Sequence, residues 1–227
     1  MKTVIVIGGS KGIGNAIVSN LLSNNKVINI SRTAPEQAHE NLTHISCNVV
    51  EDELPEIDSA NSLIYCPGSI NLKPISRLSI DDFKNDFEIN VLGAVKAIQK
   101  YLPILKKNDK PSILLFSTVA AKLGMPYHAS IAASKSGVEG LVKSLGAELA
   151  PNVRVNAIAP TVTDTQLASK LLRNEKMIDA ITERHPLKKF LNPQEVAEMA
   201  VFLISDKAAS LSGQVIEMDC GIVSFKI

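Results

Sequence analysis

Val4-Ile5-Val6-Ile7-Gly8-Gly9-Ser10-Lys11-Gly12-Ile13-Gly14 stands at the start of the chain. Four consecutive apolar residues read as a strand buried on both faces. Helical spacing follows in Ile13, Ile17, Leu21 and Leu22, and Asn24-Asn25 ends it. A glycine cluster alone is a weak signal. Between a strand and a helix it becomes a dinucleotide site, because the glycines allow a tight turn and close backbone approach to a pyrophosphate. The helix N-terminus then turns its unpaired N–H groups toward the negative charge. Gly8, Ser10, Lys11, Gly12, Ile13 and Gly14 are therefore expected to bind cofactor.

Outward from this unit, strand and helix patterns alternate to the end of the chain. Further strands are expected at Val27–Ile30, His44–Ser46, Ser62–Tyr65, Ile113–Phe116, Val153–Ala157 and Gln214–Ile216. The stretch from Ile80 to about Leu105 reads as two helical segments meeting near Asn90. Val138, Leu141, Val142, Leu145 and Leu149 place one long helix from about Ala129, and Gln166 to His185 reads as helical. Such alternation predicts an α/β fold: a single-domain, Rossmann-type doubly wound sheet of about seven parallel strands with helices on both faces. No repeat, low-complexity tract or linker interrupts it.

The composition narrows the functional classes. At 227 residues, 45% hydrophobic and 21% charged, the chain reads as globular. A net charge of +1 offers no basic patch for a phosphate backbone, so nucleic acid is not an expected partner. No apolar run approaches the roughly 20 residues of a membrane span, and the apolar start reads as a buried strand, not a signal peptide. Cys47, Cys66 and Cys220 are scattered, which suits reduced thiols in the cytoplasm. His39, His44, His128 and His185 are too dispersed for a metal site.

The choice between dinucleotides rests on the end of the second strand. NAD sites carry an acidic residue there that accepts from the ribose 2′-OH. This chain has Ser31-Arg32, and Lys11 lies inside the glycine turn. Two cations at that corner suit a 2′-phosphate, so NADP(H) is expected over NAD(H).

Taken together, these residues resemble the short-chain dehydrogenase/reductase family over essentially the whole chain. Gly8, Gly12 and Gly14 match the glycines of its T-G-x-x-x-G-x-G, with Ile7 for the threonine. Asn48-Val49 stands for the family's acid and hydrophobe at the adenine, and only Gly68 survives of its N-N-A-G. Asn90-Val91-Leu92-Gly93 matches N-V-x-G, and Ala133-Ser134-Lys135-Ser136-Gly137-Val138 is similar to A-S-K-x-x-[VL]. Arg154 to Pro160 resembles R-V-N-x-[IV]-x-P, with Thr161 in place of the following glycine and Thr165 at the threonine beside the nicotinamide. Ser212-Gly213-Gln214 and Asp219-Cys220-Gly221 resemble T-G-Q and D-G-G. The resemblance implies that Pro160, Thr163 and Thr165 lie at the nicotinamide. It also implies that Lys135 holds the ribose, Asn90 holds a water, and Thr118, thirteen residues before Ile131, polarises the substrate carbonyl.

One position departs from the pattern in a way that matters chemically. Four residues before Lys135, where the family places its proton-donating tyrosine, stands Ile131. Loss of a general acid costs about 10²- to 10⁴-fold in rate, or about 3 to 5 kcal/mol of barrier. Tyr65, at the end of the fourth strand, is one substitute. Tyr101 reads as packing. Tyr127 and His128 read as helix-start residues, with His128 facing the cleft if the helix begins early. Three functions remain open at this point: an oxidoreductase of a ketone or activated alkene with an altered proton path, a non-catalytic subunit paired with an active ketoreductase, and isomerase or dehydratase chemistry. Small residues Ala132, Ala133, Gly137 and Gly140 on the long helix suit a homodimer, a homotetramer or a hetero-oligomer with an active homologue.

Overall fold

β1 (Lys2–Ile7), β2 (Asn25–Ser31), β3 (Leu42–Ser46), β4 (Ser62–Tyr65), β5 (Ser112–Phe116), β6 (Arg154–Pro160) and β7 (Val215–Met218) form one parallel sheet in the computed structural model, which describes residues 1–225. The strand order is 3-2-1-4-5-6-7. Six helices cover it: α1 (Gly12–Leu21), α2 (Ile80–Phe87), α3 (Gly93–Leu105), α4 (Ala129–Glu148), α5 (Glu175–Arg184) and α6 (Pro193–Ile204). The order reverses between β1 and β4, and a doubly wound sheet binds ligands outside the carboxyl ends of its strands at such a reversal.

The apolar runs earn their continuity by feeding two cores. Ile5, Ile7, Leu63, Tyr65 and Ile113 point to the side covered by α3 and α4, against Ala94, Ala97, Val138 and Val142. Val4, Val6, Ile64 and Leu114 point to the other, against Ile17, Val18 and Leu21 of α1 and Val196, Ala197 and Ala200 of α6. The period of two along a strand assigns neighbours to opposite layers.

All seven expected strands are present. The two helical segments do meet at Asn90, through a π-helical turn at Glu88–Leu92. Two helical expectations need correction. Gln166 to His185 is not one helix: Thr165 caps a 3-10 turn at Gln166–Ala168, turns follow, and Asn174 accepts from the Met177 N–H to start α5 afresh. Helix α6 was not expected, although Asn192-Pro193-Gln194-Glu195 carries its start signal. Asn192 and Glu195 form a reciprocal capping box, with Pro193 at the first helical position.

After β7 the chain is folded back by one carboxylate. Asp219 accepts from the N–H groups of Gly221 at 2.8 Å, Val223 at 2.9 Å and Ser224 at 3.1 Å, and from the Ser224 hydroxyl at 3.0 Å. Burial pushes its pKa upward, but these donors outweigh burial and hold it below the ordinary carboxyl value. Asp219→Ala should cost about 2 kcal/mol of stability near neutral pH, measured by urea unfolding. A lowered native pKa stabilises the fold above the ordinary carboxyl range, so the difference between wild type and variant should shrink as pH falls through that range.

Candidate active site

A cleft of about 710 Å³ runs along the carboxyl edge of β1, β2, β3 and β4. Its walls bring together Gly8, Ser10, Lys11, Gly12, Ile13, Gly14, Arg32, Asn48, Val49, Gly68 and Thr165. The turn is built for close approach. Gly8 and Gly12 have φ of +79° and +52°, and a Cβ on Gly14 would run into the Gly8 carbonyl oxygen. Asn29, buried in β2, holds the turn from below. Its Oδ1 accepts from the Gly9 N–H at 2.9 Å, while its Nδ2 donates to Ser31 Oγ at 2.9 Å. Lys11 and Arg32 are exposed on the rim, and among the described residues no Asp or Glu lines the cleft. Thr33 Oγ1 donates to Ser10 Oγ at 3.2 Å, joining the turn to the loop after β2. Asn48 has its side chain engaged locally. Its Oδ1 accepts from the Val50 N–H at 3.2 Å and its Nδ2 donates to Glu51 at 2.8 Å.

A second cavity of about 180 Å³ adjoins the cleft at Ile13, Cys66, Gly68, Thr165 and Leu167. Thr118, Ile131, Lys135, Pro160 and Thr163 line it, and Leu167, Ala168 and Leu171 close one side. Lys135 Nζ donates to the Phe116 carbonyl at 2.8 Å. Burial pulls the Lys135 ammonium down to about 8, and the neighbouring Cys66 and Asp86 only partly oppose that shift. Asn90 lies one layer behind the cavity. A Cβ on Gly68 would sit 3.2 Å from Asn90 Oδ1 and 3.6 Å from Lys135 Nζ, so glycine lets the three groups converge. Asn90 Nδ2 donates to Ser69 Oγ at 3.0 Å and to the Asp86 carbonyl at 2.7 Å, while its buried Oδ1 has no hydrogen-bond partner. An orphaned acceptor beside a buried cation fits a site that receives a further polar group. Thr118 Oγ1 accepts from the Ala120 N–H at 3.3 Å and keeps its own proton for the cavity.

Ile131 is buried and lines the cavity, with only aliphatic carbon to offer there. Tyr65 does not line the cavity. The pleat of β4 turns it to the helix side with Leu63, and its buried hydroxyl donates to the Ile89 carbonyl at 2.6 Å. Burial also drives the phenol pKa well above its ordinary value. Tyr101 is core, donating to the Pro55 carbonyl at 3.0 Å. Tyr127 is 59% exposed and off the cavity wall, whereas His128, at the N-cap of α4, lies on that wall.

Residues 39–223 match the family described as enoyl-(acyl carrier protein) reductase. The 3-oxoacyl-[acyl-carrier-protein] reductase FabG of Thermotoga maritima is 34% identical over 176 residues, covering 77% of this chain and 71% of the relative. The chain belongs to the short-chain dehydrogenase/reductase family. The 2,5-dichloro-2,5-cyclohexadiene-1,4-diol dehydrogenase of Sphingobium indicum is 27% identical and is covered over 97% of its length, against 98% of this chain. Ligand-free aldohexose dehydrogenase of Thermoplasma acidophilum superposes with a TM-score of 0.91 at 30% identity, over 99% of this chain and 95% of its own. An oxidoreductase scaffold is common to these relatives, whose named substrates differ.

Sequence reasoning did not find Asn29 or the cluster of Ser69, Asp86 and Ser130, which reaches the cavity wall at Ser69. Asp86 accepts from Ser69 Oγ at 2.5 Å and from Ser130 Oγ at 2.6 Å. For Asn29 the signal was a lone amide within an apolar strand, and for Asp86 an acid on the inner face of an amphipathic helix. The buried lysine gives a direct test. In the unfolded chain Lys135 keeps its proton up to about the ordinary lysine value of 10.5, while the native group releases it near 8. Its contribution therefore makes stability rise with pH between those values. NMR of the Lys135 Nζ should show a midpoint near 8. Lys135→Met should remove that rise in stability.

Proposed function

We propose that this protein is an NADP(H)-dependent oxidoreductase of a ketone or activated alkene, acyl substrates included, whose proton path does not pass through position 131. The observation that carries the reading is the approach of Lys135 and Asn90 to Gly68, with Lys135, Gly68 and Thr118 lining one cavity continuous with a cleft rimmed by Lys11 and Arg32. Turn amides at the start of α1 suit the pyrophosphate. Lys11 and Arg32 suit a 2′-phosphate, with Arg32 able to bind it in bidentate fashion. Lys135 suits the nicotinamide ribose, and Pro160, Thr163 and Thr165 suit the nicotinamide. When bound, the dinucleotide supplies a hydride with its electron pair. Thr118 donates its hydroxyl proton as a hydrogen bond to the substrate oxygen and so stabilises the charge that develops there. Val162, Leu167 and Leu171 give the cavity an apolar wall that suits an acyl or alicyclic substrate. Free thiols at Cys47, Cys66 and Cys220 suit a reducing cytoplasm.

A second reading has its own support in Ile131. A non-catalytic subunit that binds the dinucleotide beside an active homologue needs no proton donor. Phe87 and Leu92 are 42% and 51% exposed, and a Cβ on Gly137 would sit 3.5 Å from Phe87. This apolar face suits either a second copy or a homologue.

The two readings separate in one assay. NADPH oxidation is followed on a panel of acyl-thioester ketones and enoyl compounds, with wild type and Ile131→Tyr side by side. The reductase reading expects wild-type turnover within about 10³-fold of Ile131→Tyr. Silence in wild type beside an active Ile131→Tyr would favour the partner subunit.

A further inference from the structure

We propose that His128 is the proton donor of the cavity, delivering its Nε2 proton where the family uses a tyrosine. This inference rests on the reductase reading above and adds to it the acid that the reading requires.

The argument begins with where the protons on the cavity wall already go. Ser69 donates to Asp86 at 2.5 Å and Ser117 to Glu139 at 2.7 Å. Thr163 and Thr165 donate to main-chain carbonyls at 3.0 and 3.3 Å. Thr161 Oγ1 lies 2.7 Å from His185 Nε2, while His185 Nδ1 lies 2.7 Å from the Ile181 carbonyl. A carbonyl only accepts, so His185 Nδ1 carries a hydrogen, and in the neutral ring Nε2 takes the Thr161 proton away from the cavity. Thr118 keeps its proton, but an aliphatic hydroxyl is a hydrogen-bond donor rather than an acid. Lys135 donates to the Phe116 carbonyl and is buried, as is the neighbouring Asn90.

His128 differs from all of these. Its Nδ1 lies 2.7 Å from the Pro126 carbonyl, so Nδ1 carries a hydrogen and Nε2 is the nitrogen free to exchange a proton. Among the described residues no partner engages Nε2. The ring is half-buried on the same wall as Ile131, three positions ahead of it and one helical turn away. Helix capping does not account for the residue. His128 occupies the N-cap of α4, yet its side chain makes no capping hydrogen bond. The preceding Tyr127 is held at φ +69°, a left-handed conformation that a bulky side chain adopts only under constraint. Imidazole is also the side chain that enzymes most often use to move protons near neutral pH.

The step balances as follows. The carbonyl carbon takes the hydride and its electron pair from the reduced nicotinamide, so the substrate is reduced and the dinucleotide oxidised. The substrate oxygen takes the Nε2 proton of the imidazolium. The imidazole is left neutral with Nδ1–H still donated to Pro126, and the solvent-facing ring regains a proton from water.

Two measurements test this. In the unloaded protein, ¹⁵N NMR of the neutral ring should show the Nδ1–H tautomer with a bare Nε2, and the opposite tautomer would overturn the proposal. In turnover, His128→Asn keeps an amide N–H for the Pro126 carbonyl but has no acidic proton, so it separates a structural role from proton donation. His128→Asn should lower kcat by about 10²-fold or more with NADPH affinity unchanged, and adding Ile131→Tyr should restore turnover. Full activity in His128→Asn would overturn the proposal and pass the proton to Lys135. Silence of wild type itself, beside an active Ile131→Tyr, would instead overturn the reductase reading, and this proposal with it.

Discussion

Burial of the Lys135 ammonium under Gly68, with the Phe116 carbonyl at 2.8 Å, is the constraint on which the rest of the site depends. A cation removed from water is costly unless polar groups face it. Three separate elements meet around it, and one of them supplies its hydrogen bond. β5 ends so that its last carbonyl points at Nζ. The chain after β4 passes so close that a Cβ at position 68 would sit 3.2 Å from Asn90 Oδ1, a tight contact. The π turn between α2 and α3 delivers the Asn90 amide, whose Oδ1 has no partner of its own.

The cofactor end obeys a different logic. There the backbone carries the chemistry, and side chains only fix its shape. Asn29 ties Gly9 to β2, and Thr33 ties Ser10 to the following loop. The N–H groups at the start of α1 therefore stand ready without reorganisation on binding, which lowers the entropic cost of taking up a ligand. The rim carries positive charge while the floor carries none.

Most of the sheet was legible in the sequence because its signal is redundant. Each strand is a short apolar run, and the glycine turn fixes where the first one ends. Lys135, Asn90 and Thr118 follow from the resemblance to the family's motifs. What escaped depended on direction rather than position. Tyr65 lies at the carboxyl edge, as expected, but the pleat shared with Leu63 sends its ring into the helix layer. His128 has the opposite history: its spacing from Ile131 was visible, but only the Pro126 hydrogen bond reveals which ring nitrogen is free. The Gln166–His185 stretch broke because Thr165 and Asn174 each start a new turn, and α6 was missed despite its capping box. Buried polar groups such as Asp86 become visible only once the helices are placed.

On the function proposed above, the cleft takes a dinucleotide bearing a 2′-phosphate, whatever becomes of the proton. Calorimetric titration of wild type and Arg32→Glu with NADPH and NADH, at one fixed salt concentration, tests it most directly. Wild type should bind NADPH at least about tenfold more tightly than NADH, and Arg32→Glu should reverse or abolish the preference. Equal or tighter binding of NADH by wild type, or no binding of either dinucleotide, would contradict it.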